Sequence, residues 1–176
     1  MHAEWSSGLK GGALAVYRAM MRIRRLIFLA AAALAFAAPL AADNAKTPYW
    51  VSIRSDEVNL RVGPGEDYRI AWVYRRPQLP LKVLRIKDGW RLVQDPDGAQ
   101  GWMRSQFLTR QRTGYVRGAG AAEMRENPAS EARLLWRLAP GVVGLLGECQ
   151  AGWCELDVDG RLGHVEASRL WGAGEP

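Results

Sequence analysis

Residues 51–62 mix Val, Ile and Leu with polar neighbours, and from residue 58 the two kinds alternate, with Val58, Leu60 and Val62 on one side and Asn59 and Arg61 on the other. A period of two marks a half-buried strand. Gly63-Pro64-Gly65 ends it as a turn. Residues 67–70 lead into a second extended stretch, Ala71-Trp72-Val73-Tyr74, which Arg75-Arg76-Pro77 breaks. Residues 79–86 form the next predicted strand, with Leu81, Val83 and Ile86 as its apolar positions. Lys87-Asp88-Gly89 turns into a strand over 90–93, and residues 95–98 turn again before the short strand Gly101-Trp102-Met103. A single helical turn over 105–108 closes the unit. Short strands separated by Gly and Asp turns predict a small β-barrel, and no stretch supports a long amphipathic helix.

The pattern then recurs 62 to 64 residues later. Val58-Asn59-Leu60-Arg61 and Pro64 are echoed by Ala122-Glu123-Met124-Arg125 and Pro128. Gly89-Trp90, Asp97-Gly98, Gly101-Trp102 and Leu108 are echoed by Gly152-Trp153, Asp159-Gly160, Gly163-His164 and Leu170. A repeat of this kind predicts two copies of one all-β module. The expected division is a first barrel at 51–109, a linker at 110–114 and a divergent second barrel at 115–171, with Gly114 a possible early member of its first strand. Residues 132–138 have a helix-favouring composition, yet they align with 68–74. They are therefore read as extended, with Leu135 and Leu138 inward. Trp90 and Trp102 are expected to face each other across neighbouring strands, or one of them to lie at the barrel surface.

Arg22, Arg24 and Arg25 precede an apolar run over residues 26–38, followed by Pro39 and Ala41-Ala42. This is the layout of a secretory signal, expected to span residues 1–42 and to be cleaved after Ala42, with Ala37 and Ala41 as alternatives. An uncleaved anchor is the other reading, although the apolar body is shorter than the roughly 20 residues a span requires. Met20-Met21 stands directly before the basic head, so residues 1–19 are read as an upstream extension or, alternatively, as a longer head region. Cleavage would leave no stable membrane span and place the protein in the periplasm or outside the cell.

Charge counts change once that segment is removed. The whole chain is +6, but residues 1–42 hold five basic residues and one acid, leaving 19 against 17, or +2. Nucleic acid is accordingly not an expected partner. The first module carries 12 basic and 7 acidic residues over 50–113, and the second 6 and 9 over 114–176. Opposite signs would help the halves dock or orient them on an anionic surface. Arg75, Arg76, Lys82, Arg85, Lys87 and Arg91 make up the basic part of the first module. They could meet an acidic polymer or lipid, or simply form a solvated face. Modules of about 60 residues bury little surface, and seven tryptophans after residue 42 offset that by enlarging small cores.

Catalytic chemistry is sparse. His164 is the single histidine after the leader, standing where the first copy has Trp102. No phosphate-binding loop, metal cluster or nucleophile–base pair is present, so no catalytic residue, metal or cofactor is expected and the chain is read as a non-enzyme. Cys149 and Cys154 are the only cysteines. In an oxidising compartment a bond between them, across a tight turn at 150–153, is the leading reading; two reduced buried thiols are the alternative.

These elements, in this order, resemble the bacterial SH3-like family. Val58 to Gly65 is similar to its Asn-Leu-Arg-x-Gly-Pro opening, and Gly89-Trp90, Asp97-Gly98 and Gly101-Trp102 are similar to its later series. The second copy departs from it at Glu126-Asn127 and His164. The whole resembles secreted tandem SH3-like proteins whose second copy carries a paired-cysteine segment. The resemblance implies small β-barrels that bind peptidoglycan or its peptides, or that recognise an envelope protein or act as a scaffold. For a carboxylate-bearing wall ligand, Arg61, Arg69 and Arg91 are the expected charge-assisted donors. Tyr68, Tyr74 and Trp102 are the expected flat contacts.

Overall fold

The computed structural model describes residues 46–176, so the leader expected at 1–42 lies outside the described residues. Alternating inward apolar residues and punctual turns make fourteen strands. The first seven are β1 (Tyr49–Ile53), β2 (Val58–Arg61), β3 (Ile70–Tyr74), β4 (Pro80–Lys87), β5 (Trp90–Gln94), β6 (Gln100–Arg104) and β7 (Leu108–Thr109). The next seven are β8 (Thr113–Val116), β9 (Ala122–Arg125), β10 (Leu134–Leu138), β11 (Val143–Gln150), β12 (Trp153–Val158), β13 (Arg161–Glu166) and β14 (Leu170–Trp171). A 3-10 turn precedes β7 (Ser105–Phe107) and another precedes β14 (Ala167–Arg169).

Each set of seven forms one antiparallel sheet with the same neighbour order. It is β3-β2-β6-β5-β4-β1-β7 in the first barrel and β10-β9-β13-β12-β11-β8-β14 in the second. The fold is all-β, two tandem SH3-like barrels. Ile53, Leu81, Val83, Val93 and Met103 fill the first core, and Val116, Met124, Leu156, Val165 and Leu170 the second.

Two local expectations are corrected. Val62 does not continue the inward row of Val58 and Leu60; it is 50% exposed. β2 ends at Arg61, and the Val62 N–H is given to the Arg69 carbonyl (3.1 Å) as the chain turns. In the segment 132–138, Leu138 reaches the core while Leu135 is only half-buried. The first strand of the second sheet starts at Thr113, so the connection between β7 and β8 is residues 110–112.

Turn chemistry sets the hairpins. Ala151 (φ 50°) and Gly152 (φ 84°) join β11 to β12, and Asp159 (φ 52°) and Gly160 (φ 81°) join β12 to β13. Two successive positive φ angles match the twist of a two-residue hairpin, and glycine takes the second without steric cost. Cys149 and Cys154 are directly opposite across the first of these turns and are disulfide-bonded, Cα–Cα 4.0 Å. Cys154 lies in the second core while Cys149 is exposed. The bond ties the outer end of the β11–β12 ribbon to the packed interior.

The barrels are fastened to each other within one compact unit, residues 45–176. Trp50 and Trp171 meet edge to face at 5.1 Å. The Lys82 ammonium lies 5.4 Å from the first ring centre and 5.0 Å from the second. Trp50 Nε1 donates to the Gly174 carbonyl (3.0 Å) and Trp171 Nε1 to that of Pro80 (3.3 Å). Arg112 donates to the Gly172 carbonyl, and Arg76 to that of Gly141. Tyr115 and Val143 of the second sheet pack against the first core. Cations meet carbonyls and ring faces at this junction.

Gly101 and Gly163 hold equivalent places where strands cross closely. A Cβ on Gly101 would lie 2.5 Å from Leu60 Cγ and 2.9 Å from the Arg61 carbonyl oxygen; one on Gly163 would lie 2.5 Å from Met124 Cγ. Overpacking of this kind costs about 1–3 kcal/mol. Gly101→Ala and Gly163→Ala should each lower the unfolding free energy by an amount in that range, read as a lower midpoint in a urea titration. An unchanged midpoint would contradict the close approach.

Candidate functional site

The six residues singled out from sequence fall into three places. Arg61, Tyr68, Arg69 and Trp102 gather around the β2–β3 connection. Arg61 and Trp102 are cross-strand partners. The Arg61 guanidinium donates to the carbonyls of Glu66 (2.8 Å) and Tyr68 (2.7 Å), so it shapes the loop. Tyr68 is half-exposed and its ring lies flat on Gly63 and Gly65, where any Cβ would collide with it or crowd it. Arg69 is exposed on the same loop. Arg91 lies apart, donating to the Tyr49 hydroxyl (3.0 Å) and to the Asp88 carbonyl (3.0 Å).

Tyr74 is a correction. Only 9% of it is exposed, and its hydroxyl donates to Asp95 Oδ2 at 2.6 Å. Asp95 also accepts the N–H groups of Asp97 (3.0 Å) and Ala99 (2.8 Å), holding the β5–β6 turn. Burial, and then the neighbouring carboxylate, pushes the Tyr74 phenol well above the ordinary tyrosine range. The pairing with Asp95 holds most of the ring in the core.

The basic run of the first barrel is likewise engaged. Arg75 pairs with Glu57 (2.9 Å), Arg76 lies over the Tyr115 ring (5.4 Å), and Arg85 lies over Trp102 (6.0 Å). Lys87 pairs with Asp88 (3.3 Å). Trp90 and Trp102 share the outer face of β5 and β6 but are out of register, Trp90 opposite Arg104 and Trp102 opposite Leu92. Trp90 is covered by the Arg104 guanidinium, 5.2 Å from the ring centre.

What sequence reasoning missed is Trp72. It is 62% exposed on β3, the outermost strand of its sheet. Its partner Leu60 is a core residue, so the indole extends the inner face of the sheet past the covered core. It borders an open cleft of about 310 Å³ between the barrels, whose lining includes Tyr74, Arg76, Asp95, Asp97 and Tyr115. The second barrel repeats the feature: Trp136 is 47% exposed on the edge strand β10, with Arg161 5.2 Å over its ring. The two tryptophans stand 64 residues apart, the offset that relates Arg61 to Arg125. That coincidence was the available signal. Among the described residues no group of His, Cys, Asp and Glu could hold a metal ion.

The sequence signature described as the bacterial SH3 domain matches residues 54–109 and again 118–172, more than half of the chain. The chain belongs to the bacterial SH3 domain family. It is 23% identical over 133 residues to a Bacillus subtilis protein, YrvJ, that carries the name of an N-acetylmuramoyl-L-alanine amidase; the match covers 69% of this chain and 25% of that protein. Two solved structures, NlpC1 and NlpC2 from Trichomonas vaginalis, overlap 74% and 71% of the chain and 48% of their own lengths. Each does so at 14% identity and a TM-score of 0.33. The disulfide and the family membership together mark an extracytoplasmic protein. No helix among the described residues is long and apolar enough to cross a membrane.

The Tyr74–Asp95 bond gives a measurable consequence. A phenol whose pKa is raised on folding stabilises the protein fully below the ordinary tyrosine value of about 10, and that contribution is lost as pH rises above it. Tyr74→Phe leaves Asp95 short of a donor and should cost about 1–2 kcal/mol at neutral pH. The gap between wild type and variant should narrow in alkaline denaturation titrations; a gap constant from neutral to strongly alkaline pH would contradict the assignment.

Proposed function

We propose that this chain is a non-enzymatic envelope module of the periplasm or the secreted fraction that binds peptidoglycan or its peptides through the cleft beneath Trp72. The observation that carries this reading is an exposed indole at the same place in both barrels, the more open of the two being Trp72, on strands whose outer edges are unpaired in the sheet. A small domain that leaves a tryptophan this exposed has kept much of its area off its own core, and such rings are favoured contact surfaces for ligands. The cleft adds the Tyr115 ring, the Asp97 carboxylate and the arginines at 75 and 76 to that ring. A wall peptide carries both carboxylates and amines, and a site with both signs suits it better than a purely basic one. The amidase name of the Bacillus subtilis relative supports the same setting.

A second reading has its own support. β3 and β10 each terminate a sheet, so their outward N–H and C=O groups could pair with an extended segment of an envelope protein. Binding to purified sacculi separates the two.

The protein should co-sediment with sacculi at low salt. Trp72→Ala should weaken that association roughly tenfold or more, as loss of a central aromatic contact does. Trp136→Ala should cost less, because Arg161 already covers part of its ring. Protein left wholly in the supernatant, together with a cross-linked envelope protein partner, would favour the second reading. Incubation with purified wall should release no soluble fragment; release would overturn the non-enzymatic assignment.

A further inference from the structure

The outer faces of the two barrels differ at one pair of equivalent positions. In the first, Trp90 on β5 is opposite Arg104 on β6, whose guanidinium lies over the ring and is tied to the Glu66 carboxylate. In the second, the equivalent pair is Trp153 on β12 and Glu166 on β13. Ser130 stands at the place of Glu66, 64 residues on. The cation that fills the first site is therefore replaced by an anion, and the anion that held it by a hydroxyl. The ring is retained.

A pocket of about 270 Å³ opens there, lined by Glu123, Arg125, Ser130, Trp153, Glu166 and Arg169, with Ala121. Its two arginines are occupied. Arg125 is bound to Glu123 and to the Ala132 carbonyl (2.6 Å). Arg169 donates to the carbonyls of Arg117 (3.2 Å) and Gly120 (2.9 Å), holding the β8–β9 connection. Glu166 is exposed and accepts a long hydrogen bond from Ser168 (3.4 Å). An aromatic face beside a carboxylate not matched by an arginine is the arrangement that attracts an organic cation.

We propose that this pocket binds one organic cation at the end of an alkyl stem, the basic side chain of a peptide, seated over Trp153 with Glu166 as its counter-charge. The first barrel shows the complex already made, with its own Arg104 as the occupant. Neighbouring Arg125 and Arg169 limit the pocket to a single positive charge. The inference does not depend on the Trp72 cleft, which belongs to the other barrel.

The test is an NMR titration of the purified protein, following the indole N–H of Trp153, assigned with Trp153→Phe. Probes are blocked lysine, blocked arginine and, as the neutral isostere, blocked citrulline. At millimolar concentrations either or both cations should shift the resonance saturably, and citrulline should not. Glu166→Gln should weaken the effect roughly two- to fivefold. Glu166→Arg rebuilds the filled arrangement of the first barrel and should abolish it, while the remaining resonances stay dispersed as in the wild type. No shift with either cation, an equal shift with citrulline, or an unaltered titration in Glu166→Arg would overturn the proposal. Failure of sacculus binding would leave this outcome intact, and the reverse also holds.

Discussion

The contact on which the rest of the molecule depends is the meeting of Trp50, Lys82 and Trp171. Trp50 comes from the first strand of the first barrel and Trp171 from the last strand of the second, so their packing joins the two ends of the described fold. Each indole N–H finds a carbonyl across the junction, and the lysine ammonium touches both rings. A link of only residues 110–112 between β7 and β8 leaves little slack for any other pose. Small barrels gain stability from that shared surface. Docking places Tyr115 of the second barrel on the lining of the cleft beside Trp72.

Repetition of a backbone has not meant repetition of its surface. Both sheets share one strand order, and the glycines at 101 and 163 meet the same crowded crossing. Outward positions have diverged freely because solvent tolerates many side chains there. Arg104 became Glu166, Glu66 became Ser130 and Trp102 became His164, whose Nδ1 lies 3.2 Å from the Glu126 carbonyl oxygen. The disulfide appears only in the second copy. There it holds a β11–β12 ribbon whose outer residues on β11 are exposed.

Legibility followed the length scale of each interaction. Strand alternation, Asp-Gly turns and the 62–64 residue repeat depend on neighbours in sequence, and the barrels could be read from them. The Cys149–Cys154 pair was legible because its partners flank one turn. The partners of Tyr74 and Arg91 were not legible, for the opposite reason. Tyr74 meets Asp95 from 21 residues away, and Arg91 meets Tyr49 from 42. The basic run, open to reading as a surface for anions or as a solvated face, has contacts of the same kind, with Glu57, Tyr115, Trp102 and Asp88.

By itself the sequence determined the all-β class, the duplication, the family and the cysteine pairing, because local periodicity and turn chemistry leave few other folds open. Tertiary structure alone decided which aromatic rings are spent on packing and which remain open. Among seven tryptophans of similar composition and context, Trp90 is covered by an arginine, Trp50 and Trp171 close the junction between barrels, and Trp72 is left bare. Exposure is a property of what stands opposite a side chain in space, and strands distant in the chain supply that neighbour.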